Sequence, residues 1–222
     1  MNNPEKIDDK MRALRKELSR RTVNLHLSEP QERSEADDSV DIIDIGKKIS
    51  KLIDDERLED AREQLKIALV EHPEELMFLN FQMILDILDK PFGNFNSAKT
   101  AGSNLIEVAV EKYNTYYTMA AIVNLGLIAH DEGHDDFSKA MYLAAHFIDR
   151  KAITPMRNLA GWYSRRERYD KAQMWIRRII ETYPDWLNRE ELITVFLKDE
   201  SLSNLRKYEP FRKEILAKIE GK

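Results

Sequence analysis

The densest run of groups able to do chemistry is HDEGHDD, residues 130–136. Imidazoles and carboxylates this close in sequence can ligate a divalent cation, and His130, His134 and Asp136 are the side chains a metal would use. That reading makes the chain a small metal-dependent enzyme. Zinc-binding histidine pairs share one helical face, whereas His130 and His134 flank Gly133 and need not do so. The run also falls between two apolar helical stripes, where polar residues and glycine belong in any case, so a solvated turn is the expectation. His26, His72 and His146 are isolated in sequence. His72 falls in the last turn of a helix, where positive charge is favourable. The chain contains neither GxGxxG nor GxxxxGK, so no phosphate-cradling loop is expected, and it has no GxSxG elbow. Its Asp/Glu pairs lie on charged helix faces or in turns. With no cysteine, thiol catalysis, thiolate metal sites and disulfides are excluded. The expectation is a protein that is not an enzyme and carries no cofactor or resident metal.

The totals point the same way. The 222 residues are 34% charged and 42% hydrophobic, with only seven glycines and seven prolines, a composition of helical proteins rather than of turn-rich sheets. A formal net charge of −5 argues against non-specific nucleic-acid binding, which needs a basic face. No apolar run reaches the ~20 residues of a membrane span. The first residues, MNNPEKIDDKMRALRKEL, have acidic side chains and no apolar stretch, which predicts no signal peptide and a cytoplasmic location.

The elements follow from periodicity. In residues 5–21, Ile7, Met11, Leu14 and Leu18 form a narrow seam on a basic amphipathic helix, assigned to an N-terminal segment 1–26. An RNA-binding helical protein would use that helix. Residues 27–40, LSEPQERSEADDSV, read as an acidic flexible linker. From Asp41 onward, apolar stripes at helical spacing come in pairs separated by short polar turns. Ile45, Ile49 and Leu52 are followed by Ala61, Leu65, Ala68 and a closing Pro73. Met156, Leu159, Ala160 and Tyr163 are followed by Ala172, Ile176, Ile179 and Pro184. Turns this short allow only antiparallel helix pairs. Two further pairs lie between these. The first begins with a helix from Leu76 to Leu88 that is apolar on most sides and so buried on more than one face; the turn Lys90–Asn94 leads to Ala98, Ala101, Leu105 and Val108. The second has Ile122, Leu125, Gly126 and Ala129, then Ala140, Ala144 and Phe147. Ala61, Ala101, Ala140 and Ala172 are taken as equivalents. Trp186 to Leu197 forms one further helix. Residues 199–220 form a cap through Leu202, Leu205, Phe211, Ile215 and Ile219. Trp162, Trp175 and Trp186 fill gaps between stacked helices.

This spacing of apolar, Leu, small, Tyr, then Ala, Ile and a late Pro resembles the tetratricopeptide repeat over residues 41–186. The resemblance implies an all-α fold: antiparallel helix pairs at about 41–73, 74–113, 116–150 and 153–184, stacked as a short right-handed α-solenoid, with a C-terminal cap at 186–220. First helices then line a concave groove. In that family, groove-facing Asn, Lys and Arg hold an extended peptide. The corresponding positions here are Asn80, Phe81, Ile84, Asn124, Leu127, Arg157 and Asn158. The three asparagines are expected to form a row of amide clamps, exposed to solvent when no peptide is bound. The first pair offers only Lys47 and Ser50, so the full carboxylate clamp of chaperone-binding members is not present. The implied function is a protein-interaction module or scaffold whose partner is a peptide or helix of another protein. Met77, Phe81, Ile84 and Leu88 are more apolar than a solvated groove tolerates. The seam of residues 5–21 is therefore expected to occupy the groove, in its own chain or in a second copy to give a homodimer.

Overall fold

The computed structural model describes residues 39–89 and 94–221. The expectations for residues 1–26, for the linker as far as 38 and for most of the Lys90–Asn94 turn lie outside the described residues. All regular structure among them is helical, with no strand. In chain order the helices are α1 (Ser39–Asp54), α2 (Leu58–Glu71), α3 (Leu76–Leu88), α4 (Phe95–Glu111), α5 (Thr115–Asp131), α6 (Asp135–Ile148), α7 (Ile153–Arg165) and α8 (Tyr169–Thr182), then α9 (Glu190–Lys198). Two compact units divide between Ser138 and Lys139, inside α6.

One turn is used four times. Glu56, Tyr113, Gly133 and Glu167 each have positive φ, at 59°, 54°, 83° and 57°. In each case the following N–H reaches back to close the preceding helix: Arg57 to the Leu52 carbonyl at 2.8 Å, Asn114 to Ala109 at 2.7 Å, His134 to Ala129 at 2.7 Å and Arg168 to Tyr163 at 3.0 Å. A left-handed residue followed by this long reach satisfies helix-end carbonyls and reverses the chain. The turn also sets the register of the next helix. Five residues beyond Glu56, Gly133 and Glu167 stand Ala61, Ser138 and Ala172, each fully buried. Ser138 therefore takes the place expected of Ala140, which is exposed. The inward stripe of α6 is Ser138, Tyr142, Ala145 and His146, and Phe147 points outward at 67% exposure. The alanine at 140 misled because α6 begins directly after the turn, two residues earlier than that alignment allows.

In the first unit each helix packs on the next, and α3 packs additionally on α1 and α5. This double contact is why α3 has an apolar residue at almost every position. Of its thirteen residues only Gln82 is not buried. Gly46 of α1 is small because a Cβ there would stand 2.5 Å from Met77 Cε. Asn94 and Asn114 cap α4 and α5, their side-chain oxygens accepting from Ser97 N and Tyr117 N. Such caps satisfy helix-start donors that have no partner in the helix.

In the second unit α7 and α8 pack together, with Met156, Leu159, Ala160, Ile176 and Ile179 fully buried. Trp162, Trp175 and Trp186 are 6%, 5% and 4% exposed, as gap-filling requires. The helix expected from Trp186 to Leu197 is broken. A 3₁₀ turn, Trp186–Asn188, precedes α9, and Arg189 between them is extended. Beyond α9 come two 3₁₀ turns, Glu200–Leu202 and Leu205–Lys207, and a helical run whose middle, Arg212–Leu216, is π-helical. Leu202, Leu205, Phe211 and Ile215 are buried, while Ile219 is only partly covered.

Candidate functional site

The first unit holds five of the expected groove residues on two helices. Half a turn from Gln82 and Asp86 on α3, Met77, Asn80, Ile84 and Leu88 form the opposite stripe, with Phe81 beside it. Asn124 and Leu127 lie on α5, which packs against α3. Exposure corrects the expectation that Asn80 and Asn124 face solvent. Asn80 is 1% exposed, Asn124 0%, Leu127 1%, and Phe81 and Ile84 are fully buried. Helix α3 packs against α1, α2, α4 and α5, and Asn80 and Ile84 lie on its side away from the partly open Gln82, with Phe81 beside them.

Burial makes the asparagines unusual. Neither the oxygen nor the nitrogen of either amide has a hydrogen-bond partner among the described residues. An amide shut from water and left unpaired costs about 1–3 kcal/mol, and nearly all buried polar groups in folded proteins avoid this. Helix α3 also carries a contrasting polar group, Asp86. Its carboxylate, 8% exposed, accepts from Arg62 Nη1 at 3.0 Å and Ser97 Oγ at 2.6 Å, while Arg62 Nη2 donates to the Leu85 carbonyl at 2.7 Å. This network forms one side of a cavity of about 380 Å³ that Leu65, Lys66, Leu69 and Val70 border from α2. No sequence motif indicated it. The visible signal was a single charge, Asp86, inside an otherwise apolar helix.

The remaining two residues, Arg157 and Asn158, sit on α7 in the second unit and are 4% and 5% exposed. They too are corrected from solvent-facing to buried. Here the cover is identifiable: the Glu200–Leu202 turn packs on α7, and Gly161 stands where Ser201 presses against the helix. Arg157 Nε lies 3.6 Å from Asp199 Oδ2, a pair whose side chains are 5% and 7% exposed. Asp199 Oδ1 also accepts from the Ser201 backbone N–H and hydroxyl, and Ser164 Oγ accepts from Leu205 N at 3.1 Å. Arg157 thus anchors the C-terminal turns.

The 130–136 run forms the end of α5, the turn and the start of α6. His130 Nδ1 lies 3.0 Å from Asp135 Oδ1, and His134 and Asp136 are exposed. Among the described residues no three His, Cys, Asp or Glu side chains are grouped to hold a metal ion, and no helix is long and apolar enough to cross a membrane.

On the other edge of the second unit, Gln173 and Arg177 of α8 hold Glu214 of the π-helical segment. Gln173 Nε2 donates at 2.6 Å, and Arg177 pairs with the carboxylate through Nε and Nη2. The Arg177 hydrogen bond holds the Glu214 carboxyl below its ordinary range. This clamp fastens the end of the chain and is structural.

No protein-family model matches the chain, and no curated protein is similar to it at a meaningful level.

Proposed function

We propose that this chain is a non-enzymatic helical-repeat module of tetratricopeptide type, which binds an extended peptide of a partner protein along α3 and α5. The observation that carries the reading is the pair of buried, unpaired amides of Asn80 and Asn124 on neighbouring helices. Each amide offers donor and acceptor together, the complement of a peptide backbone. Placed one helix apart, they suit successive peptide groups of an extended chain. Because both are shut from solvent, the peptide enters by opening this face, and its hydrogen bonds recover the free energy those amides forfeit in the free protein. The recurrent left-handed turn supports the repeat assignment, since it places Ala61, Ser138 and Ala172 at one register of three second helices. Stacking of such pairs as a right-handed solenoid is part of the proposal.

The test is a displayed random-peptide library selected on the full-length protein, with selected peptides measured by fluorescence anisotropy. Asn80→Leu and Asn124→Leu, which keep volume and remove the amide, are expected to weaken binding by about tenfold each. Selection of no peptide, or peptides that bind both variants as they bind the parent, overturns the reading.

A further inference from the structure

The surface where α6 ends beside α8 carries chemistry that neither repeat packing nor the amide pair uses. Phe147, Ile148 and Met174 are large apolar side chains exposed at 67%, 37% and 45%. Two guanidinium groups stand among them. Arg150 lies 5.7 Å from the Phe147 ring, and Arg178 lies 4.9 Å from the Trp175 ring. Neither forms an ion pair with any described residue. Beneath them His146, 6% exposed, meets Trp175 edge-on with ring centres 5.0 Å apart.

Arg178 Nη1 lies 3.4 Å from His146 Nε2. A guanidinium can only donate, so in the neutral ring Nε2 accepts and the proton sits on Nδ1. That Nδ1 is buried with no acceptor among the described residues, and the same holds for Trp175 Nε1. Burial holds the imidazole below its ordinary pKa, and Arg178 and Arg150 act in the same direction. Among the described groups that act on His146, Asp149 is the carboxylate that opposes them, and its Oδ1 already accepts from Lys151 N at 2.8 Å; Glu181, one turn beyond Arg178 on α8, acts on Arg177. Two buried N–H donors, His146 Nδ1 and Trp175 Nε1, therefore lack acceptors among the described residues, and two exposed guanidinium groups lack an ion pair there.

We infer that this face docks an acidic segment of a partner protein, whose apolar side chains pack on Phe147, Ile148 and Met174 while its carboxylates pair with Arg150 and Arg178. Aromatic residues, methionine and arginine are the types enriched in interface centres. Arginines stacked on aromatic rings keep their planar N–H forks open for carboxylates. A basic partner would leave both cations opposed by like charge, so the same groups that attract one class of segment reject the other. The inference uses no part of the Asn80–Asn124 reading and stands or falls separately.

The probes are a short synthetic peptide of Glu, Leu and Phe and its counterpart with Lys in place of Glu, each titrated into full-length ¹⁵N-labelled protein. The Glu peptide is expected to shift the amide signals of Phe147, Ile148, Arg150, Met174 and Arg178, and to bind more weakly as salt rises. The double change Arg150→Glu, Arg178→Glu is expected to weaken it by about tenfold or more and to admit the Lys peptide instead. Phe147→Ser should weaken it comparably. All three substituted side chains are exposed, and unchanged signals elsewhere report an intact fold. Asn124→Leu should leave this binding as it is. Absence of shifts at those five positions, equal binding of the two peptides, or unaltered affinity in the double variant overturns the inference.

Discussion

Helices α3 and α7 occupy comparable situations in their respective units. Each is covered on nearly all faces, and each carries polar side chains where the covering should exclude them. They differ in how those groups are met. On α7 the Arg157 guanidinium faces Asp199, and the Ser164 hydroxyl takes the Leu205 N–H, both partners supplied by the C-terminal turns. On α3 and its neighbour α5, Asn80 and Asn124 have no partner within the described residues. A buried polar group that is paired holds a structure in one arrangement; one that is unpaired costs stability and needs another purpose. The comparison separates an anchoring residue, Arg157, from two binding candidates, although all three belong to one sequence pattern.

The comparison breaks most visibly at Asp199. Asp199→Ala removes the carboxylate that faces the buried Arg157 cation and the acceptor of the Ser201 N–H, so a loss of about 3–5 kcal/mol is expected in urea unfolding. A loss below ~1 kcal/mol would mean that Arg157 does not anchor the turns.

Next in size is the register of the second helices. Ser138→Phe, Ala61→Phe and Ala172→Phe should each cost about 1–3 kcal/mol through overpacking. Ala140→Phe should be near neutral because that position is exposed. Equal behaviour at 138 and 140 would discard the register that the left-handed turn imposes.

The opposite sign is expected on the first unit. Asn124→Leu should raise stability by about 1 kcal/mol, since it removes an unpaired amide at nearly constant volume. A loss in thermal unfolding would show that the amide contributes to the fold, and the contrast with α7 would disappear.

His146 gives a pH-dependent term. Its folded-state pKa is lowered by burial, with Arg178 and Arg150 adding to the effect. As pH falls below the ordinary imidazole value of about 6.5, the unfolded chain binds the proton first, so stability declines with acidity. His146→Gln should flatten that decline in denaturation midpoints measured between about pH 7.5 and 5.5. The Glu214 carboxyl, lowered by Arg177, adds a separate loss at more acid pH, below the usual glutamate range, which the His146 variant should retain.

The smallest effect belongs to the turn. Tyr113 is 93% exposed and holds a left-handed backbone that favours glycine. Tyr113→Gly should gain about 1 kcal/mol or slightly less, as the relief of Cβ strain exceeds the added chain entropy. Destabilisation would imply that the exposed ring contributes to the fold.

Much of this architecture was written in local pattern. Stripes at 3.6-residue spacing and short polar turns located α1 to α8, because helix formation and its termination depend on residues within a turn or two of each other. The near-continuous apolar run from Leu76 to Leu88 announced a helix covered all round, and the repeated spacing marked Ala61 and Ala172 as equivalents. What required the folded chain was everything set by distant partners. Ser138 displaces Ala140 because hydrogen bonds around Gly133 fix where α6 begins, and composition at 140 carries no trace of that. Arg157 is buried and faces Asp199 because Asp199 returns to it from beyond α9, a meeting no local period encodes. Asn80, Asn124 and Arg157 look alike in sequence, as polar residues on first helices. Their difference is whether a partner reaches them, and only tertiary packing, which brings residues together across long separations, decides that.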